Sequence, residues 1–207
     1  MYGLINRSVQ CFLEDTYGRD LWDEIIRKTG LEFRDFEAML SYPDEMTDDI
    51  LDTACDELRR DRSSLLEDLG TYLVTNPNMN TVRRLLRFGG HTFEEFLYSL
   101  DDLHDRVKLA VPDLELPKME LRQYNAQTYA LIFNWKQAGF GAVMEGILLG
   151  LADDYGALVV LETDLSLSEE GVCEVLRIEL MAIDFSDGRD FALGRKSDEK
   201  LIKKKAS

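Results

Sequence analysis

Two histidines, three cysteines and four prolines are all that this 207-residue chain holds of those residue types, and each shortage excludes something. Cys11, Cys55 and Cys173 lie far apart with no CxxC spacing. That argues against a disulfide framework or a structural zinc site and fits a reducing, cytoplasmic setting. With few prolines, 45% hydrophobic and 31% charged residues, the composition is that of an ordinary globular protein rather than a disordered or fibrous one. Positive charge is also short: 24 basic against 40 acidic residues leave a net charge of −16, which repels phosphate backbones and anionic lipid heads. Nucleic acid is therefore not an expected partner. The longest apolar stretch, Ala142 to Ala152, is interrupted by Glu145 and is too short to span a bilayer. The first residues, with Arg7, Glu14 and Asp15 among them, lack a secretory pattern, so no membrane association is expected. At this length a single domain over 1–185 is expected, followed by a polar tail over 186–207 that closes on Lys203-Lys204-Lys205.

What is present reads in two halves. The first half shows apolar residues at helical spacing with turn residues between, as at Tyr17-Gly18 and Thr29-Gly30. Asn76-Pro77-Asn78 and Gly89-Gly90-His91 break that pattern. The clearest helix then opens at a capping box, Thr92 with Glu95, and is predicted to run to Pro112. Beyond it, Lys118 to Tyr124 and Gln127 to Phe133 are predicted to pair as a hairpin around Asn125-Ala126. Phe140, Val143, Met144, Ile147, Leu148 and Leu151 recur at helical spacing, and Ala157 to Glu162 and Val172 to Ile183 read as further strands. The fold class is α+β: an N-terminal helical subdomain followed by an antiparallel sheet flanked by helices.

The two histidines sit in different settings. His91 lies beside two glycines in a loop, whereas His104 shares a helical stripe with Leu97, Leu100, Val107 and Val111. An imidazole among aliphatic side chains is either a satisfied core residue or a ligand presented to a buried cofactor. No second histidine, cysteine pair or carboxylate cluster completes a zinc site around it, and a lone axial ligand is what a haem requires. Gly146 and Gly150, four apart on one helix, would let that helix approach a cofactor or the sheet closely, though small residues at this spacing are also common in plain helix packing.

Met1-Tyr2-Gly3, Tyr17-Gly18-Arg19-Asp20-Leu21-Trp22 and Leu100-Asp101-Asp102-Leu103-His104-Asp105, in that order, resemble the haem nitric oxide/oxygen binding (H-NOX) family, especially the haem domain of the soluble guanylate cyclase β subunit. Pro117, thirteen residues after His104, matches the family's spacing from the proximal histidine to a proline that packs on the haem. The resemblance runs from Met1 to about Ile183. It implies haem b with His104 as iron ligand, Leu100, Pro117 and Gly146 near the cofactor, and Ile5, Leu73, Ala142 and Val143 on the distal side. Those four distal positions offer no hydroxyl donor to a bound gas, so the resemblance implies nitric oxide in preference to oxygen. It implies a sensor rather than an enzyme, signalling to a partner in trans such as a histidine kinase or a cyclic-di-GMP enzyme.

One family motif is altered. Where the family carries Tyr-x-Ser-x-Arg to bind the haem propionates, this chain has Phe133-Asn134-Trp135-Lys136-Gln137. A guanidinium offers a charged, bidentate fork to a carboxylate, whereas glutamine and the tryptophan N–H offer neutral donors. Either Lys136 or Arg122 supplies the missing charge, or the pocket takes another tetrapyrrole or none and the domain acts through protein interaction. Trp135 also has an ordinary structural role open to it, as core filling at a strand end.

Overall fold

The expected order of helices followed by a sheet is the observed one. A computed structural model describes residues 1–87, 90–135, 138–168, 171–183, 185, 186 and 188, so only Ser186 and Gly188 of the polar tail are included. The first half holds α1 (Gly3–Tyr17), α2 (Arg19–Thr29), α3 (Asp44–Leu58), α4 (Arg62–Thr75), a short 3-10 turn (Pro77–Met79) and α5 (Asn80–Arg87). Gly18 and Gly30 end α1 and α2 with φ of 95° and 70°, a conformation that side-chain-bearing residues rarely adopt. Asn76 stops α4 by accepting the Asn78 N–H on its own side chain at 2.8 Å, with Pro77 between them. Helices α1 to α4 bury Phe12, Leu13, Trp22, Ile25 and Leu65 in one apolar cluster.

The second half adds α6 (Phe93–Tyr98), α7 (Leu103–Ala110), β1 (Lys118–Gln123), β2 (Thr128–Trp135), α8 (Phe140–Tyr155), β3 (Leu158–Ser168) and β4 (Gly171–Ala182). The sheet runs β1-β2-β4-β3 with every neighbouring pair antiparallel. Its first hairpin closes on Asn125, whose side-chain oxygen accepts the N–H groups of Gln127 and Thr128 at 2.9 and 3.0 Å. Alternate residues of the central strands, Tyr129, Leu131 and Phe133 on β2 and Leu176, Ile178 and Leu180 on β4, join the core that includes Leu148 and Leu151 of α8. The buried Glu174 of β4 accepts the N–H groups of Gly139 and Gly141 at 2.9 and 3.0 Å. A carboxylate at a helix N-terminus satisfies donors that the helix leaves open, so this contact fixes where α8 starts on the sheet.

The single helix predicted from Thr92 to Pro112 is two helices. Its start is as expected: the Thr92 hydroxyl accepts from the Glu95 N–H at 3.1 Å, and the Glu95 carboxylate accepts from the His91 N–H at 2.8 Å. After Tyr98 the backbone tightens into three-residue bonds, Ser99 to Phe96, Leu100 to Leu97 and Leu103 to Leu100. The Ser99 hydroxyl donates to the Phe96 carbonyl at 2.7 Å, and the Asp101 carboxylate accepts the Leu121 N–H of β1 at 2.7 Å. Short polar side chains thus offer the backbone an alternative to helix, which apolar periodicity does not register. Leu97 precedes this joint, Leu100 lies within it, and His104 lies at the start of α7 rather than midway along a continuous stripe.

The two halves meet where α4 crosses α8. A Cβ on Gly146 would lie 1.9 Å from the Glu67 carbonyl oxygen, and one on Gly70 would lie 2.0 Å from the Val143 carbonyl oxygen. The Thr71 hydroxyl donates to the Gly146 carbonyl at 3.3 Å. Arg83 of α5 pairs at 2.7 Å with the buried Asp154 of α8, which docks α5 against the same helix. Among the described residues, no helix is long and apolar enough to cross a membrane.

Gly146→Ala separates packing from propensity. In an unconstrained helix this change stabilises by about 1 kcal/mol. Here the added methyl meets backbone, so a net loss of about 1–3 kcal/mol is expected in urea unfolding; a gain in stability would contradict the close crossing.

Candidate functional site

Between the two halves lies a cavity of about 780 Å³. Its walls come from α1 (Leu4, Ile5, Ser8), α4 (Leu69, Leu73), α5 (Val82, Arg84, Leu86), α7 with the segment after it (Leu103, Arg106, Val107, Ala110, Val111, Leu114, Leu116) and α8 (Phe140, Val143, Met144, Ile147). Protein interiors are close-packed, so a space of this size belongs to ligand binding rather than to core. Most of the lining is aliphatic. Ser8 is the one neutral hydroxyl among the described lining residues, and it donates to the Leu4 carbonyl of its own helix at 2.9 Å.

A smaller cavity of about 130 Å³ adjoins it, sharing Ile5, Leu69, Leu116, Phe140 and Val143, and adds Pro117 and Trp135 to the wall. Arg62 also borders this space, but it is committed to the carboxylates of Asp48 and Asp52.

His104 is half-buried and is not itself among the residues lining either cavity, but Leu103 and Val107 of its own helix and Leu116, whose carbonyl it meets, line the larger one. Its Nδ1 lies 2.9 Å from the Leu116 carbonyl oxygen. A carbonyl only accepts, so in the neutral imidazole Nδ1 carries the proton and Nε2 keeps its lone pair. This is how a histidine is set to ligate a metal through Nε2, with the other nitrogen fixing ring orientation. The donor set therefore fits a group held through a single imidazole in apolar surroundings. Among the described residues no cluster of three or more histidine, cysteine or acidic side chains could hold a metal ion alone. His91, in contrast, is exposed.

The other expected residues divide. Ile5, Leu73 and Val143 line the larger cavity, and Pro117 and Trp135 line the smaller one. Leu100 is fully buried in the core with Phe96 and Leu97. Phe133 is buried in the sheet, its ring edge-on to Phe140 with centroids 5.5 Å apart. Ala142 is buried in the helical cluster, and Gly146 lies at the α4–α8 crossing. Gln137 and Lys136 lie outside the described residues. Arg122, considered as a source of positive charge, is exposed on β1, pairs with Glu120 at 2.7 Å and is not among the cavity residues.

The sequence reading missed Arg84 and Arg106, the charged side chains among the described residues of the larger cavity. Burial pushes the Arg106 guanidinium below its ordinary pKa, against the opposing pull of Asp102. Arg106 donates from Nη2 to the Ser99 carbonyl at 2.9 Å, while its buried Nε finds no acceptor. Its place two residues after His104 was the available signal, but an arginine within a helix reads as solvated unless the neighbouring elements are known.

A family model described as haem-NO-binding matches residues 2–163. The chain is similar to soluble guanylate cyclase 89Da of Drosophila melanogaster, 21% identical over 160 residues that cover 77% of this chain and 24% of that protein. It is also similar to soluble guanylate cyclase gcy-31 of Caenorhabditis elegans, 23% identical over 193 residues, covering 90% and 27%. The chain thus spans about a quarter of the length of these relatives. Among solved structures, a mutant H-NOX of T. tengcongensis superposes with a TM-score of 0.75 at 15% identity, covering 88% of this chain and 99% of that one. An oxygen-binding H-NOX domain related to soluble guanylate cyclases gives 0.68 at 16% identity, covering 92% and 100%.

Val143→Trp should fill space where the two cavities join. The ligand-free variant is expected to enhance the fluorescence of an apolar probe several-fold less than the parent, with circular dichroism unchanged. Equal enhancement would place the apolar binding space elsewhere.

Proposed function

Because the chain belongs to the haem-NO-binding (H-NOX) family, we propose that it is a cytoplasmic sensor of a diatomic gas that holds haem b through His104, favours nitric oxide over oxygen and signals to a partner protein. The observation that carries this reading is the His104 imidazole, proton-fixed at Nδ1 by the Leu116 carbonyl, on a helix whose Leu103 and Val107 line a largely apolar cavity of about 780 Å³. Haem, when bound, would supply an iron centre able to take a diatomic gas. The chain's own residues do the rest. His104 would hold the iron, Ile5, Leu73 and Val143 would exclude water, and Pro117 with Trp135 extends the wall at the adjoining space.

Selectivity is read from what the lining lacks. No tyrosine is among the described residues of the larger cavity, the Ser8 hydroxyl is spent on its own helix, and the expected distal positions Ile5, Leu73 and Val143 carry no donor, which leaves Arg84 and Arg106 as the other side-chain donors on its wall. A bound oxygen gains more from a donated hydrogen bond than nitric oxide does, so this lining favours nitric oxide.

Transmission follows from what His104 is tied to. Its bond to the Leu116 carbonyl couples α7 to the segment entering β1, and Arg106 couples α7 back to the end of α6 through Ser99. A displacement of His104 therefore moves α7 against two elements at once, and the tightened turn over 99–102 is where two arrangements can exchange. The output is read by a signalling enzyme, of the histidine kinase or cyclic-di-GMP class if it acts in trans.

A second reading, a carrier of another tetrapyrrole or a haem-independent interaction module, draws on one observation: Phe133 and Trp135 replace carboxylate-binding side chains with apolar ones. The full chain, reconstituted with haem, is expected to take up about one equivalent and show a Soret band that is lost or altered in His104→Gly. Failure to take up stoichiometric haem would favour the second reading. In the ferrous state nitric oxide should bind while oxygen is not retained; an oxygen complex lasting hours in air would contradict the selectivity argument.

A further inference from the structure

We propose that the haem-free chain binds a long-chain fatty acid in the larger cavity, its hydrocarbon chain against the aliphatic wall and its carboxylate on Arg106 of α7. The inference goes beyond the haem reading: it names a second class of ligand for the same space, and the two ligands would exclude each other. The cavity holds about 780 Å³, and Phe140 is the one aromatic ring among its described lining residues. Leu4, Leu73, Leu114 and Ile147 are typical of the rest. Such a wall suits a flexible hydrocarbon chain, whose affinity grows with the apolar area it removes from water.

A ligand in an apolar cavity is oriented by a few polar groups, and Arg106 is placed to be the main one here. Its Nε–H is buried without an acceptor, and no carboxylate lies within ion-pair distance of it among the described residues. The Asp102 carboxylate acts on it through charge but makes no hydrogen bond to it. A buried donor left unmade is costly, and a carboxylate reaching it converts that cost into a charge-assisted bond. Nη2 donates to the Ser99 carbonyl at 2.9 Å and to the Ser99 hydroxyl at 3.3 Å, so the guanidinium is oriented before a ligand arrives. In a chain of net charge −16, no acidic side chain is among the described residues of this cavity to repel an anion. The Ser8 hydroxyl is spent on its own helix and Arg84 is exposed, so the wall offers one buried donor and matches one carboxylate.

The test uses the full chain, free of haem, with an uncharged apolar dye that brightens in the cavity. Laurate and its methyl ester, both below micelle-forming concentration, compete for the dye. Laurate is expected to displace it about tenfold more tightly than the ester, the discrimination of one charge-assisted contact. From octanoate to laurate the affinity should rise about fourfold per methylene, the effect of burying each one. Arg106→Gln should bring the acid-to-ester ratio near one, and Arg106→Lys should recover part of it. Arg122→Gln, on an exposed residue paired with Glu120, should leave it unchanged. Circular dichroism checks that each variant is folded. Equal displacement by acid and ester in the parent, an unchanged ratio in Arg106→Gln, or no displacement by laurate at all would overturn the fatty-acid site. Since neither iron nor porphyrin enters the test, each of those results leaves haem ligation by His104 standing.

Discussion

The crossing of α4 over α8 at Gly70 and Gly146 is the contact on which the rest of the molecule depends. Each glycine faces a carbonyl oxygen of the opposite helix, at Val143 and Glu67, at a distance that leaves no room for a side chain. With the axes held that close, Leu69 and Leu73 on one helix and Val143, Met144 and Ile147 on the other are aimed past the crossing into the same cavity. Glu174 fixes the start of α8 on the sheet, and the buried Asp154 near its end holds Arg83 of α5. One helix thus positions walls contributed by both halves of the chain.

The opposite wall is built differently. Helix α7 is short and is anchored through polar contacts: Asp101 to the Leu121 N–H, Arg106 to the Ser99 carbonyl and His104 to the Leu116 carbonyl. Hydrogen bonds of this kind contribute about 0.5–1.5 kcal/mol each, against several for a tightly packed core side chain. The molecule therefore pairs a rigid wall at α8 with a more easily rearranged wall at α7, and the histidine sits on the latter. That asymmetry suits a sensor, in which a local event at one residue must move a helix without unfolding the domain.

Much of this was legible in the sequence, and the exceptions have physical causes. Helical spacing, the Thr92 cap and the Asn125 turn located their elements because each depends on residues close in sequence. The joint over 99–102 was missed because apolar periodicity carries across it, while the bonds that break the helix come from Ser99 and from Leu121 of a later strand. Gly146 stood out as a small residue allowing close approach, but the element it meets, α4 at the Glu67 carbonyl, could not be read from residues near it in sequence. Arg106 was invisible for the reverse reason, since nothing local separates a guanidinium facing a cavity from one facing water.

The account turns on the proposal that His104 would hold the iron, and in the haem-loaded protein an iron–nitrogen vibration would report that bond directly. Resonance Raman spectra of the ferrous, haem-loaded protein should contain a low-frequency iron–histidine band that shifts with iron isotope substitution and disappears in His104→Gly. A band that survives the substitution, or its absence from the parent protein, would contradict the assignment of His104 and with it the proposed route from gas binding to α7.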